Sequence, residues 1–132
     1  MLRGTSYSRR VQEVITSKTV RCMTGIESSV ADSIARWAVE NPEVRRVWVF
    51  GSRAKGTHRP DSDIDVAVEL EPVGDSEETL TRWIARCDLW GSQLQSRMTP
   101  KVDLEWFDPD GSTPSIESRL NEGKVLVYER AS

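Results

Sequence analysis

Apolar residues recur every three or four positions from Glu27 to Glu40, at Val30, Ile34, Trp37 and Ala38. That spacing predicts an amphipathic helix, which Asn41-Pro42 must stop because the residue before a proline is pushed out of the helical region. The pattern then changes. Val44 to Phe50, VRRVWVF, is rich in β-branched and aromatic residues and ends at Gly51, which predicts a strand. Gly56 to Ser62 reads as loop by its Gly, Pro and Asp content. Asp63 to Leu70 is a second predicted strand, with Ile64, Val66 and Val68 on its core side, and Pro72-Val73-Gly74 breaks it. A long helix follows, with Asp75 or Ser76 as N-cap and Glu77 and Glu78 in the first turn, where the helix dipole favours acids. Its stripe of Leu80, Trp83, Ile84, Cys87, Trp90 and Leu94 is expected to face the core. Lys101 to Phe107 alternates, with Val102, Leu104 and Trp106 against Asp103 and Glu105, as a third strand. A turn at Asp108 to Gly111 leads to a short helix, Ser115 to Asn121, and a last strand, Val125 to Tyr128. The order α-β-β-α-β-α-β predicts a mixed β-sheet with helices packed on it, an α/β (α+β) domain.

One position in this pattern is out of place. Residues i and i+2 of a strand share a face, about 7 Å apart, so Asp63 and Asp65 project side by side. Two carboxylates that close repel, and one takes up a proton unless a cation lies between them. Oxygen ligands on a rigid strand suit Mg²⁺, which takes one or two carboxylates and completes its shell with water and phosphate oxygens. A solvated edge strand would account for the same acids on their own. The preceding segment shifts the balance. Phe50-Gly51-Ser52 leaves a glycine where backbone can approach a ligand, followed by a hydroxyl, and Arg53 and Lys55 add positive charge just beyond. Alone, Gly51-Ser52 would be an ordinary turn. A strand, Gly-Ser, ten residues and Asp-x-Asp in sequence is a more specific arrangement: triphosphate on one side, metal-binding acids on the other.

Composition narrows the setting. The chain has 132 residues, room for a single domain. With 37% hydrophobic and 30% charged residues it has the balance of a folded chain. A net charge of −3 gives no overall field to draw in nucleic acid, which is not an expected partner, although local basic spots can bind phosphate. No apolar run approaches the roughly 20 residues of a membrane span, and the N-terminus lacks the apolar stretch of a secretory signal. Cys22 and Cys87 have no metal or disulfide spacing and read as free thiols, which with the rest points to the cytoplasm. Residues 1–22, with Arg3, Arg9, Arg10, Lys18 and Arg21 against one acid, read as a disordered basic arm or in part as a product of start-codon choice. The domain proper is expected over 23–132.

The segment GSRAKGTHRPDSDID, Gly51 to Asp65, resembles the signature of the polymerase-β-like nucleotidyltransferase superfamily. More narrowly, it is similar to the minimal nucleotidyltransferases (MNT), small single domains found as antitoxins beside HEPN ribonuclease toxins. The resemblance runs over about Ile26 to Glu129. It implies a nucleotidyltransferase fold and transfer of a nucleoside monophosphate, AMP from ATP, with two Mg²⁺ ions. Asp63 and Asp65 would be metal ligands and catalytic. A third carboxylate falls on the later strand at Asp103, and Glu105 on the same face competes for that assignment. Gly51 and Ser52 would bind the β- and γ-phosphates, supplemented by Arg53 and Lys55. His58 receives no role.

Larger relatives of this fold carry a further helical domain that binds the acceptor. Here a partner macromolecule is expected to bring it, and the resemblance implies a tyrosine hydroxyl of a cognate HEPN toxin. Two alternatives stand beside that reading. One is a nucleotidyltransferase acting on a small molecule or nucleic acid, completed by a neighbouring subunit. The other is a non-catalytic antitoxin that inhibits by binding, for which clustered acids would serve no purpose.

Overall fold

The computed structural model describes residues 26–57, 59 and 62–131. The basic segment 1–22, Cys22 and His58 lie outside the described residues. Among the described residues, four helices and four strands alternate: α1 (Ser28–Val39), β1 (Val44–Phe50), α2 (Ser52–Lys55), β2 (Ile64–Leu70), α3 (Ser76–Gln95), β3 (Val102–Trp106), α4 (Pro114–Glu122) and β4 (Lys124–Glu129). The strands form one mixed sheet in the order β3-β2-β1-β4. β1 runs antiparallel to both β2 and β4, while β2 and β3 are parallel. A parallel pair needs a crossover of a dozen residues or more, and α3 supplies it.

One face of the sheet carries the main core. Val44, Val47 and Val49 of β1 and Ile64, Val66 and Val68 of β2 are fully buried against α1 and α3. Small side chains at Ala31, Ala35 and Ala38 let α1 lie close to the strands, and Trp37 fills the space beside them. Trp37 and Trp90 meet edge to face at 5.8 Å. Their indole N–H groups donate to Gln93 Oε1 at 3.0 Å and Asn41 Oδ1 at 3.1 Å, so neither buried donor lacks a partner. The start of α3 is set by a capping box, in which the Asp75 side chain accepts from the Glu78 amide and the Glu78 side chain accepts from the Asp75 amide.

Two expectations change. Ser52–Lys55, to which the pattern assigns no element, forms a short helix immediately after β1. The stripe on α3 is buried only in part: Trp90 and Leu94 are in the core and Trp83 packs against it, but Leu80 is 38% and Ile84 63% exposed. The reason is rotation. The line turned inward runs through Thr79, Trp83, Cys87, Trp90 and Leu94, and Leu80 and Ile84 each stand about 100° around the helix from it. Glu43 holds the helix from the side, accepting from Arg86 Nε at 2.9 Å and from Arg82. The Arg86 hydrogen bond is the main reason that the Glu43 carboxyl is held below its ordinary pKa.

The second face of the sheet is covered less. Phe50, Ala67 and Leu120 form a small cluster with Trp48, Phe107 and Ile116, under α4. Beyond the edge of α4, the same face of β2 and β3 carries Asp65, Asp103 and Glu105, all part-exposed. Among the described residues, no helix is long and apolar enough to cross a membrane.

Candidate active site

The site is a row across three strands. Phe50 of β1 pairs with Asp65 of β2, and Asp65 pairs with Asp103 of β3. Paired residues of a sheet put their side chains on one face, so Asp65 and Asp103 stand next to each other. Glu105 pairs across from Ala67, one step further along. Asp63 precedes the first residue of β2 and is exposed.

Gly51 closes the row at the end of β1. Its φ of 77° and ψ of −151° lie where side chains are rarely tolerated, and a Cβ there would stand 2.2 Å from Asp65 Oδ2. The Gly-Ser turn and the acid are therefore in contact; only a residue without a side chain lets the carboxylate come so near. From Gly51 the chain turns into α2, whose Ala54 and Lys55 amides donate to the Gly51 carbonyl at 3.1 Å each. Arg53 points inward, 5% exposed, and its Nη2 donates to the Ser62 carbonyl at 2.9 Å. It ties α2 to the segment that leads into Asp63. Its Nε is buried without a partner among the described residues. Lys55 faces outward and pairs with Glu122 of α4 at 3.2 Å.

Electrostatics mark Asp65 as the strained member. Burial raises its pKa above the ordinary carboxylate value; Arg119 opposes that rise, and Asp103 and Asp63 add to it. Glu105 is raised as well, by burial first and then by Asp103. Arg119 of α4 lies 3.4 Å from Asp65 Oδ2, with its guanidinium 4.7 Å from the centre of the Phe50 ring. No spacing rule singled out this arginine, because it reaches the site from a helix more than 50 residues further along the chain.

Adjacent acids, a glycine held against them and a cation already drawn to Asp65 fit a divalent metal ion bound with phosphate. As the side chains stand, no three His, Cys, Asp or Glu among the described residues converge tightly enough to hold an ion, and Arg119 rather than a third acid stands on Asp65. A partly open pocket of about 140 Å³ lies at the other end of the sheet, bordered by Arg45, Glu69, Thr79 and Asp108. The acids themselves sit on an open face.

Comparison with known proteins agrees with the fold. The family model described as Polymerase beta, Nucleotidyltransferase matches residues 32–131. No curated protein matches the chain. Among solved structures, a toxin–antitoxin complex with AMP-PNP is 23% identical, covering 76% of this chain and 73% of that one with a TM-score of 0.57. A tri-AMPylated HEPN toxin from Shewanella oneidensis in complex with an MNT antitoxin is 20% identical, covering 76% and 71%, with a TM-score of 0.52. The toxin–antitoxin pair MntA-HepT gives 20%, 76%, 71% and 0.51. At these identities the likeness to the solved structures is one of fold.

Proposed function

This chain belongs to the polymerase beta nucleotidyltransferase family, and from that premise we propose that it transfers AMP from ATP to a tyrosine of a HEPN-type toxin, acting as the antitoxin. The observation that carries the reading is the row Gly51–Asp65–Asp103, phosphate turn and acids in contact on an open face. An open face suits an acceptor presented by another macromolecule. The proteins of like fold that are recorded with AMP-PNP and with an AMPylated HEPN toxin supply the acceptor and the nucleotide in this reading.

In the reaction, the acceptor oxygen attacks the α-phosphorus in line, the bond to the β-phosphate oxygen breaks, and pyrophosphate leaves. Gly51 and Ser52 hold the β- and γ-phosphates, Lys55 adds charge from outside the turn, and Arg53 supports them from beneath. Asp103 takes the proton of the acceptor hydroxyl. Asp63, Asp65 and Asp103 would hold two Mg²⁺ ions, which when bound neutralise phosphate charge and make the hydroxyl easier to deprotonate. The acid nearest Asp65 in register is Asp103, which favours it over Glu105 as the third ligand. An ATP substrate and an intracellular toxin partner would go with a cytoplasmic setting.

The test uses labelled ATP, Mg²⁺ and the purified toxin. The label is expected on a toxin tyrosine and is lost with Asp63→Asn or Asp103→Asn. Separately, Mg²⁺ with ATP should raise the melting temperature of the wild type, since a ligand that binds only the folded state stabilises it. The rise should disappear in the Asp63→Asn/Asp65→Asn double variant. Labelling of tRNA or an aminoglycoside with none on the toxin would replace this acceptor by a nucleic acid or small molecule. Full inhibition of the toxin by the unreactive double variant would leave binding alone as the function.

A further inference from the structure

The acid row already has a cation in contact with it, and that cation belongs to the protein. Arg119 Nη2 lies 3.4 Å from Asp65 Oδ2 while the guanidinium rests over Phe50, the Cα partner of Asp65. Ring and carboxylate stand side by side, and one guanidinium spans both. The two members of the pair are unequal: the Arg119 side chain is 44% exposed and that of Asp65 only 17%. The arginine can turn into solvent; the carboxylate cannot leave. A guanidinium over an aromatic face is attracted by the ring, so it has a resting place when the ion pair opens.

The surroundings give this pair a purpose. Asp65 faces Asp103 directly, with Asp63 two residues back and Glu105 one step along β3. Acids so placed repel unless a positive charge stands among them. Of the two cations that follow the Gly-Ser turn, Arg53 is bonded to the Ser62 carbonyl and Lys55 is engaged with Glu122. That contact joins α2 to α4, so the helix that carries Arg119 is braced against the phosphate turn. The Asp65 oxygen that Arg119 approaches is also the one pressed against Gly51, where metal and phosphate would meet.

We propose that Arg119 is the built-in counter-ion of the acid row, which competes with the divalent ion for Asp65 and turns toward the phosphates of the nucleotide once that ion is bound. The inference rests on the nucleotidyl-transfer reading and adds to it a device that keeps the acids quiet until metal and nucleotide arrive together.

Mn²⁺ titration by calorimetry, first without nucleotide and then with a non-hydrolysable ATP analogue, tests this in the full chain. The wild type should bind Mn²⁺, and Asp65→Asn should lose that binding. Arg119→Gln should bind Mn²⁺ alone about three- to fivefold more tightly, the range set by a half-exposed ion pair. The same variant should bind the Mn²⁺–analogue complex more weakly than wild type, a reversal of sign that a merely structural role would not produce. Arg119→Lys, which keeps the charge, should stay near wild type in both titrations, and Arg119→Met, which keeps the stem over Phe50, should follow Arg119→Gln. An Mn²⁺ affinity in Arg119→Gln and Arg119→Met equal to or below wild type overturns the counter-ion. Failure of the wild type to bind Mn²⁺, or unchanged binding by Asp65→Asn, overturns the metal reading beneath it.

Discussion

Asp65 and Asp108 show how the partners of a buried carboxylate decide what it does. Burial pushes both toward the protonated form. Around Asp65 the neighbours include two further acids. Around Asp108 they are donors: Ser76 Oγ at 2.8 Å, the Asp110 amide at 2.9 Å, and the Ser112 hydroxyl. Those bonds outweigh burial and hold the Asp108 pKa below its ordinary value. Asp108→Asn should therefore destabilise the protein by about 1–3 kcal/mol at pH 7, the usual loss when a buried acceptor no longer matches its donors. The sign of the pH effect follows from the lowered pKa. The stabilisation is complete above the unfolded carboxylate pKa and is lost as pH falls through the lower folded one. Urea denaturation of wild type and variant should converge between pH 5 and strongly acid conditions; a constant difference would mean that the ionised form is not what the donors hold. In the sequence Asp108 reads as a turn residue and no more, because Ser76 reaches it from 32 residues away.

At the scale of elements, signals confined to a few neighbouring residues were legible. Asn41-Pro42 ends α1 as expected, and Asp75 with Glu78 forms the capping box that starts α3. Two kinds of element were not. A four-residue helix such as Ser52–Lys55 is too short to show a period. A long helix shows which side is apolar, but not which line along that side meets the sheet. Ile84 follows Trp83 by about 100° around α3 and is left 63% exposed. Ile84→Ser should change folding stability by less than about 0.5 kcal/mol, as exposed positions do. Trp90→Ala should cost about 3–5 kcal/mol, since it empties the space beside Trp37. Chemical denaturation of the two variants would check the contrast, and a large loss from Ile84→Ser would show that this part of the helix is covered in solution.

For the molecule as a whole, the sheet is divided between its faces. One is dry and carries most of the core; the other is covered by α4 only in part and leaves the acids accessible. The mixed sheet and the placement of Asp65 beside the Gly-Ser turn could be read from alternation and spacing. Which of Asp103 and Glu105 stands beside Asp65 could not, because it depends on how β3 is registered against β2, a contact between segments joined only through the crossover. Arg119 left no trace in the pattern for the same reason.

The position of β3 has a consequence for local opening. It lies at the edge of the sheet with β2 as its single neighbour, so its amides can reach solvent without the whole domain coming apart. In the proposed reaction, Asp103 would share an ion with Asp65, which makes the ligand a clamp between an outer strand and an inner one. Amide hydrogen exchange over Val102–Trp106 should then slow when Mn²⁺ is added, by about a hundredfold where the ion is at a hundred times its Kd. β4, the opposite edge, should exchange at its former rate. Equal slowing at both edges would mean that the ion tightens the domain generally, whereas protection confined to β3 would make substrate loading the event that finishes the folding of its outermost strand.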